Sequence, residues 1–359
     1  MKILNLNLKN YRNCSNLSLD LNSNKVIIIG KNAQGKTNIL ESIYYLSQLK
    51  SSRTTNAKEL INFDANSFEI NANINKSNTD IEMDITYENS KKILKLNTLK
   101  STTKNFKSTL KTVLFSTEDL MLLRGSPSDR RNWLDRAISQ IYPAYDERLA
   151  KYEKIRIQKN NLLKLSEINP ELLEVFNHQL SITGANIILL RQKFLKELKS
   201  HAIKKHNSIA ANEKLNIEYS INHSTTDEIM QYLTSELELR KSEEIARKQC
   251  CVGPHRDDVL FSINDNDATK FASQGQQRTI VLSLKLAEIN LIQEKIGESP
   301  VLLLDDVLAE LDDLRQNYLL KTIENDTQTI ITSIDTLLFD KDFLENVKIY
   351  TIKSGILSI

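Results

Sequence analysis

The stretch Gly30-Lys31-Asn32-Ala33-Gln34-Gly35-Lys36-Thr37 decides the fold of this chain. It follows an apolar run at 26–29 and precedes residues 38–43, whose apolar side chains recur with helical spacing. The pattern predicts a strand, a glycine loop and a helix, the context that a G-x-x-x-x-G-K-[ST] phosphate loop requires. A chance strand–turn–helix is the alternative, but only eight glycines occur in the chain and two of them stand at the required spacing.

The chemistry of such a loop follows from its parts. Gly30 and Gly35 allow a tight turn in which consecutive backbone N–H groups point at a polyphosphate. The helix N-terminus behind them adds partial positive charge. Lys36 is placed to reach the β- and γ-phosphates, and the Thr37 hydroxyl is a ligand for Mg²⁺. We therefore predict that the eight residues bind a nucleotide together with Mg²⁺.

The composition sets broad limits on the function. A chain of 359 residues suits one large or two ordinary domains, and a formal net charge of +2 leaves any DNA contact to local patches. Three cysteines and five scattered histidines indicate neither a disulfide framework nor a zinc site. The N-terminus alternates like a strand, and no apolar run is long enough to cross a bilayer. We expect a cytoplasmic protein without a membrane partner.

Alternating residues predict antiparallel strands in the first third of the chain. Segments 3–8 and 17–21 indicate paired strands that lead into the phosphate-loop strand, and 68–96 indicates a meander. Two arginines in loops of this part are candidate contacts of the nucleotide. Arg12 follows the first strand and Arg53 follows the phosphate-loop helix. An ordinary solvated turn is the alternative for Arg12.

The composition then shifts to helical patterns from about residue 126 to 247. Pro170 and Gly184 are expected to break this stretch into several helices, too interrupted for a long coiled coil. Beyond it, the apolar run at 301–304 predicts a buried strand of a parallel sheet. That strand carries Asp305 to the sheet edge, where it is placed to hold Mg²⁺ through water. Asp306 follows where a general base or a carboxylate that positions water is needed; the polar end of a core strand is the alternative.

The segment Ser273-Gln274-Gly275-Gln276-Gln277-Arg278 precedes a long helix predicted from 279 to about 296. A serine and a glycine at a helix start present free N–H groups and the positive end of the helix dipole, a second anion site. Two anion sites for one nucleotide make sense if ATP lies between two copies of the chain in a symmetric pair. A simple helix cap is the alternative, but the segment stands one helix before the acid-ending strand.

Together these segments resemble the RecF family of bacterial recombinational repair. Besides the phosphate loop and the Ser273 segment, the resemblance rests on three stretches, which are Gly125-Ser126-Pro127 with 130–135, Gly253-Pro254-His255-Arg256-Asp257, and 304–312. They run in the family's order from residue 3 to about 335. The resemblance implies an α/β fold, namely an ABC-type P-loop ATPase head related to Rad50 and SMC proteins, with an antiparallel β subdomain and an inserted α-helical arm. The implied division is 1–125 for the N-terminal part of the head, 126–247 for the arm and 248–359 for the C-terminal part of the head.

The resemblance also implies roles and partners. It implies ATP-dependent homodimers on duplex DNA near single-strand gaps, weak DNA-stimulated hydrolysis that releases them, and cooperation with RecR and RecO in loading RecA. Lys36, Asp305 and Asp306 would be the catalytic residues, with Thr37 and Asp305 holding Mg²⁺. The ABC signature acting across the dimer would be Ser273, Gly275, Gln276 and Gln277, with Asp312 on a loop that crosses the interface.

Two departures from the wider ABC pattern fit slow turnover. Asp306 replaces the usual glutamate, and Thr332-Ser333 stand where a histidine is usual. The identity of the hydrolytic base therefore stays open.

Two lysine-rich stretches are candidate DNA contacts. The first lies in the arm and includes Arg191, Lys193, Lys196, Lys199, Lys204 and Lys205. The second is the segment 91–111. Such lysines contact phosphates without reading sequence, while a solvated helix face is the alternative.

Other classes of phosphate-loop protein fit less well. A small-molecule kinase needs neither the Ser273 segment nor the arm. In a transporter ATPase subunit the signature normally follows the phosphate loop much sooner.

Overall fold

A computed structural model describes residues 1–323, 327–345, 347–353 and 355–358. The chain divides into two compact units, the first formed by Met1–Leu120 with Val281–Ile359 and the second by Met121–Ile280. The implied division of the chain places 248–280 with the ATPase head, whereas packing places them with the helical segment. The two compact units are defined by contacts between residues and not by function, so the functional division of the chain stays a prediction.

The elements are numbered in chain order. The strands are β1 Lys2–Tyr11, β2 Cys14–Asp20, β3 Lys25–Ile29, β4 Ser67–Lys76, β5 Thr79–Glu88, β6 Lys91–Leu96, β7 Leu99–Lys100, β8 Thr112–Ser116, β9 Leu215–Tyr219, β10 Val259–Ile263, β11 Asn266–Asp267, β12 Val301–Asp305, β13 Thr329–Ser333, β14 Val347–Lys353 and β15 Ile356–Ser358. The helices are α1 Lys36–Gln48, α2 Thr103–Thr109, α3 Pro127–Ile141, α4 Tyr145–Leu163, α5 Pro170–Ile209, α6 Thr226–Leu239, α7 Lys241–Arg247, α8 Ala268–Phe271, α9 Gln274–Ile296, α10 Asp313–Thr322 and α11 Lys341–Leu344.

A largely parallel sheet positions the site in the first unit. Its strand order is β15-β14-β3-β13-β12-β8, and every neighbouring pair from β14 to β8 is parallel. Strands β3 and β12 are apolar over nearly their whole length, and β13 is buried along all five residues although three of them carry hydroxyls. Such burial is typical of strands of a parallel sheet that is covered on both faces. Because parallel strands end at the same edge, the phosphate loop after β3 and Asp305 at the end of β12 lie on one side of the sheet. The predicted buried strands are confirmed.

A second, antiparallel sheet completes this unit. Its order is β2-β1-β4-β5-β6-β7, so the predicted strand pair and the predicted meander are both confirmed. The buried side chains of this sheet share one apolar core with α1. Within that core Phe68 stands edge-on to Tyr11, with ring centroids 5.3 Å apart. The antiparallel sheet and α1 are thereby held in one packed core.

Helices dominate the second unit, but they are not broken where expected. Pro170 begins α5 at its first turn, with the Asn169 side chain as the cap, whereas Gly184 lies inside a continuous helix of 40 residues. The expectation of a break at Gly184 is therefore wrong. A Cβ at this position would lie 3.1 Å from Leu233 Cδ1 and 3.2 Å from Pro254 Cδ, so the glycine allows close packing.

A small sheet accompanies these helices, and one helix begins earlier than predicted. The sheet has the order β11-β10-β9. Helix α9 begins at Gln274 and not at 279, because Ser273 caps it and brings the signature segment into its first turn. Within the described part of the chain, no helix is long and apolar enough to span a membrane.

Candidate functional site

The phosphate loop adopts the tight turn that its glycines predict. Gly35 stands directly before α1 with φ +110°, a conformation that side chains rarely adopt. Gly30 is required for a different reason, because a Cβ there would lie 2.6 Å from the backbone oxygen of Ile352 on β14. Ala33 also has a positive φ of 64°. The loop therefore closes around the space in front of the α1 N-terminus.

Lys36 is almost fully buried within this loop, with 3% of its side chain exposed. Its Nζ donates to the backbone oxygen of Gly30 at 2.8 Å and lies 3.5 Å from Asp306 Oδ2. The ammonium group is thus held between one carbonyl and one carboxylate, at the mouth of the loop. An ammonium group in this position can form charge-assisted hydrogen bonds to an anionic ligand.

Asp305 and Thr37 meet although they are 268 residues apart in the chain. The Thr37 hydroxyl donates to Asp305 Oδ1 at 3.0 Å. Burial raises the pKa of Asp305, while the hydroxyls of Thr332 and Thr37 counter that shift. A hydroxyl and a carboxylate oxygen at this distance are the oxygen donors that Mg²⁺ prefers. No group of three or more His, Cys, Asp or Glu side chains arranged to hold a metal occurs in the described ranges, so these two side chains could supply only part of a Mg²⁺ coordination sphere.

Thr332 links the two acids, and the sequence analysis did not assign it a role. Its hydroxyl donates to Asp305 Oδ1 at 2.9 Å and accepts from the backbone N–H of Asp306, also at 2.9 Å. Asp306 is a non-glycine residue at φ +50°, a conformation that costs energy unless its surroundings hold it. The departure from histidine at 332 was visible in the sequence, but the contact itself depends on how β13 pairs with β12.

A cavity of about 390 Å³ opens over the loop. Its walls include Asn13, which the sequence analysis also missed. Asn13 donates to the backbone oxygen of Gln34 at 3.3 Å and accepts from the Asn38 side chain at 2.7 Å. The cavity is lined by Asn13, Asn32, Ala33, Gln34, Gly35, Lys36, Thr37, Asn38, Arg53 and Asp306. Of the predicted nucleotide-binding set, Gly30, Lys31 and Arg12 do not line it.

The two predicted arginines have different surroundings. Arg53 lines the cavity, and its Nη1 donates to Asn38 Oδ1 at 2.9 Å. Arg12 instead donates to both oxygens of the buried Glu41, at 3.0 and 2.9 Å. Arg53 Nη1 also lies 3.8 Å from Glu41, so one carboxylate on α1 orients both guanidinium groups. A direct contact of Arg12 with nucleotide stays a prediction.

The signature segment lies in the second unit and forms a capping box. Ser273 Oγ accepts from the Gln276 backbone N–H at 3.2 Å, and Gln276 Oε1 accepts from the Ser273 backbone N–H at 2.8 Å. Ser273 is exposed, while Gln277 is buried and accepts from Arg124 at 2.8 Å. Asp312, in the first unit, is exposed and caps α10 by accepting from the Arg315 backbone N–H. Both predicted interface elements are therefore accessible helix N-termini.

The lysine stretches are only partly available to a ligand. On α5, Lys193, Lys196 and Lys199 line a groove of about 690 Å³, and Lys204 and Lys205 lie further along the helix. Arg191 is buried and bound to Asp135, so the inclusion of Arg191 among the DNA contacts is wrong for this conformation. In the stretch 91–111, Lys107 and Lys111 are buried and Lys92 lies over the Tyr45 ring.

Comparison with known proteins places this geometry in context. The family described as RecF/RecN/SMC N terminal domain matches residues 2–358. The DNA replication and repair protein RecF of Staphylococcus haemolyticus is 41% identical over 367 residues, which cover 99% of this chain and 99% of that protein. The protein of the same name from Bacillus velezensis is 40% identical over 368 residues, covering 99% and 100%.

Solved structures agree with these relatives. A structure of the recombination mediator protein RecF-ATP in the RecFOR pathway matches with a TM-score of 0.91 at 34% identity, covering 99% of this chain and 97% of that chain. The SmcHead bound to the C-winged helix domain of ScpA matches with a TM-score of 0.57 at 12% identity, covering 100% and 97%. The second likeness shows the fold alone. The predicted α/β class and the ATPase-head architecture are confirmed.

Proposed function

This chain belongs to the RecF family of DNA replication and repair proteins, and from that premise we propose that it is an ATP-driven switch that closes as a homodimer on DNA. ATP binding would join two copies at duplex DNA beside a single-strand gap, and slow, DNA-stimulated hydrolysis would release them. In this proposal RecO and RecR are its partners, and the complex assists the loading of RecA.

The hydrogen bond between Thr37 and Asp305 is the observation that carries the proposal. It joins the phosphate loop to the acid-ending strand, so that Lys36, Thr37 and Asp305 converge in front of α1. Thr37 and Asp305 would hold Mg²⁺, which would supply positive charge that offsets the charge of the phosphates. Lys36 would neutralise phosphate charge, and the loop N–H groups would orient the β- and γ-phosphates.

Asp306 is the proposed residue that orients the attacking water. It lies beside Lys36 and lines the cavity, and its backbone is held by Thr332. A carboxylate there accepts a proton from water or fixes its direction, and the short aspartate side chain would reach less far than a glutamate. This supports slow turnover, as expected of a switch and not of a metabolic enzyme.

Dimer formation would use the capped start of α9. Gly275 adds no side chain there, and Ser273 is exposed. The helix dipole and the first-turn N–H groups other than those of Gln276 and Gln277, which donate to Ser273, would therefore be open to an anion from outside the chain. The proposal is that this anion is the γ-phosphate bound by the partner copy, with Asp312 at the same interface.

Sedimentation with a slowly hydrolysed ATP analogue tests the proposal, with and without gapped duplex DNA. We expect a monomer without nucleotide and a dimer with it. Ser273→Arg should bind the analogue with unchanged affinity but stay monomeric, because the added cation and bulk block the trans contact. Thr225→Arg is the matched control, since Thr225 caps α6 with the same reciprocal hydrogen bonds and is also exposed. A Ser273→Arg chain that pairs like the control would refute the trans site.

A further inference from the structure

The groove on α5 has a second wall that no part of the proposed switch uses. That wall is β9, which pairs with β10 on one side only and forms the edge of its sheet. The groove touches Ile217, Glu218 and Tyr219 in succession. Because successive side chains of a strand point to opposite faces, a groove that contacts all three runs along the strand edge.

The hydrogen-bond register shows which backbone groups face outward. The Ser220 N–H donates to Asp258 O and the Asn264 N–H donates to Lys214 O, both at 3.0 Å. Bonded and non-bonded pairs alternate along an antiparallel ladder, so Asn216 and Glu218 exchange bonds with β10. Ile217 and Tyr219 therefore direct their N–H and C=O groups away from β10, along the edge that the groove follows.

The opposite wall carries positive charge. Lys193, Lys196 and Lys199 recur at intervals of three residues on α5, so they line one side of the groove. Lys193 lies over the Tyr142 ring, with its Nζ 5.6 Å from the centroid. Among the described residues, Lys196 and Lys199 form no ion pair. Apolar side chains of Leu189, Leu195, Ile217 and Ile221 line the groove between the charges and the strand.

We propose that this groove, between the lysines of α5 and the free edge of β9, binds an extended acidic segment of a partner protein as an added strand. An incoming strand supplies both N–H donors and C=O acceptors for the outward groups of Ile217 and Tyr219. Its acidic side chains meet the three lysines, and alternate apolar side chains cover the aliphatic wall. The proposal is independent of the nucleotide switch.

Nucleic acid fits the same groove less well. A phosphate backbone offers acceptors but no donors, so the outward carbonyls of the strand would stay unpaired. The sequence-based prediction of DNA contacts is thus the rival that the experiment must separate.

A short fluorescent peptide of alternating glutamate and valine, blocked at both ends, is the probe. We expect saturable binding to the full chain that is weakened at least about tenfold by Lys196→Glu combined with Lys199→Glu, because like charges then face the peptide. Lys204→Glu with Lys205→Glu is the matched control on the same helix, outside the groove, and should change the affinity less than about twofold. A lysine–valine peptide should not bind.

Strand addition has its own signature in residue-resolved hydrogen exchange. On peptide binding, the amides of Ile217 and Tyr219 should gain protection, whereas those of Asn216 and Glu218, already bonded to β10, should not change. A peptide N-methylated at alternate residues should lose binding. No binding, equal weakening by both variant pairs, or uniform protection along β9 would overturn the proposal. Displacement of the peptide by single-stranded or duplex oligonucleotide would assign the groove to nucleic acid instead.

Discussion

One hydroxyl group determines how the two acids at the end of β12 are presented. Thr332 donates to Asp305 and accepts from the backbone of Asp306, so a single side chain orients a proposed metal ligand and holds the left-handed turn of its neighbour. Thr332 is not among the described residues that line the cavity, and it acts through the acids. Its predicted effect is therefore on the pH dependence of hydrolysis as well as on the rate.

Thr332→Val should lower the kcat/KM of Mg²⁺-dependent ATP hydrolysis at least about tenfold, because a lost hydrogen bond to a charged group costs about 1.5–3 kcal/mol. The Thr332 hydroxyl opposes the burial that raises the pKa of Asp305. Without it the pKa rises further, so the acidic limb of the pH–rate profile should move to higher pH.

Thr329→Val is the control for this substitution. Thr329 is fully buried on the same strand, and its hydroxyl donates to Thr327 O, at the end away from the acids. Both variants should lose comparable thermal stability, but only Thr332→Val should shift the profile. An unshifted acidic limb in Thr332→Val would contradict the role of its hydroxyl.

The long helix α5 shows how packing overrides a local signal. A glycine inside a helix costs roughly 1 kcal/mol relative to alanine, which is why the sequence predicts a break at Gly184. The structure keeps the helix because Leu233 of α6, Pro254 and Tyr152 of α4 fill the space where a side chain would stand. Glycine at position 184 is therefore explained by the close packing of α4, α5 and α6, and it does not mark the end of a helix.

Gly184→Val should destabilise the second unit by about 1–3 kcal/mol, because its methyl groups would overlap Leu233 and Pro254. The urea concentration at the unfolding midpoint should be lower than for the unchanged chain when unfolding is monitored by circular dichroism. Ser200→Val places the same side chain on the exposed face of α5 and should change the midpoint only slightly. A Gly184→Val chain as stable as the control would show that the close contacts adjust freely.

At the scale of the whole chain, local patterns predicted elements, and long-range pairing determined the site. The strands before the phosphate loop and before Asp305 each have an apolar run that identifies them without a partner. The contact of Thr37 with Asp305, and that of Thr332 with both acids, depend on the order in which β3, β13 and β12 pair. The spacing of residues within one segment does not determine the order in which the strands pair. Asn13 and the free edge of β9 escaped the sequence analysis for the same reason.

Release from DNA is the property that depends on the complete chain and its partner copy. Asp306→Asn should retain ATP binding and ATP-dependent pairing, because asparagine tolerates the left-handed conformation that residue 306 adopts. An amide is not a base, so hydrolysis should slow and the closed state should persist. After a chase with unlabelled duplex, dissociation from fluorescent gapped DNA should be at least about tenfold slower than for the unchanged chain.

Asp313→Asn is the matched control, because it removes the same charge at an exposed position. This variant should release DNA at the same rate as the unchanged chain. Lys36→Ala should not pair at all, which separates failure to close from failure to open. If Asp306→Asn lost both ATP and DNA binding, residue 306 would be structural and not a residue that acts on water. If it released DNA at the unchanged rate, opening of the dimer would not be coupled to hydrolysis at this site.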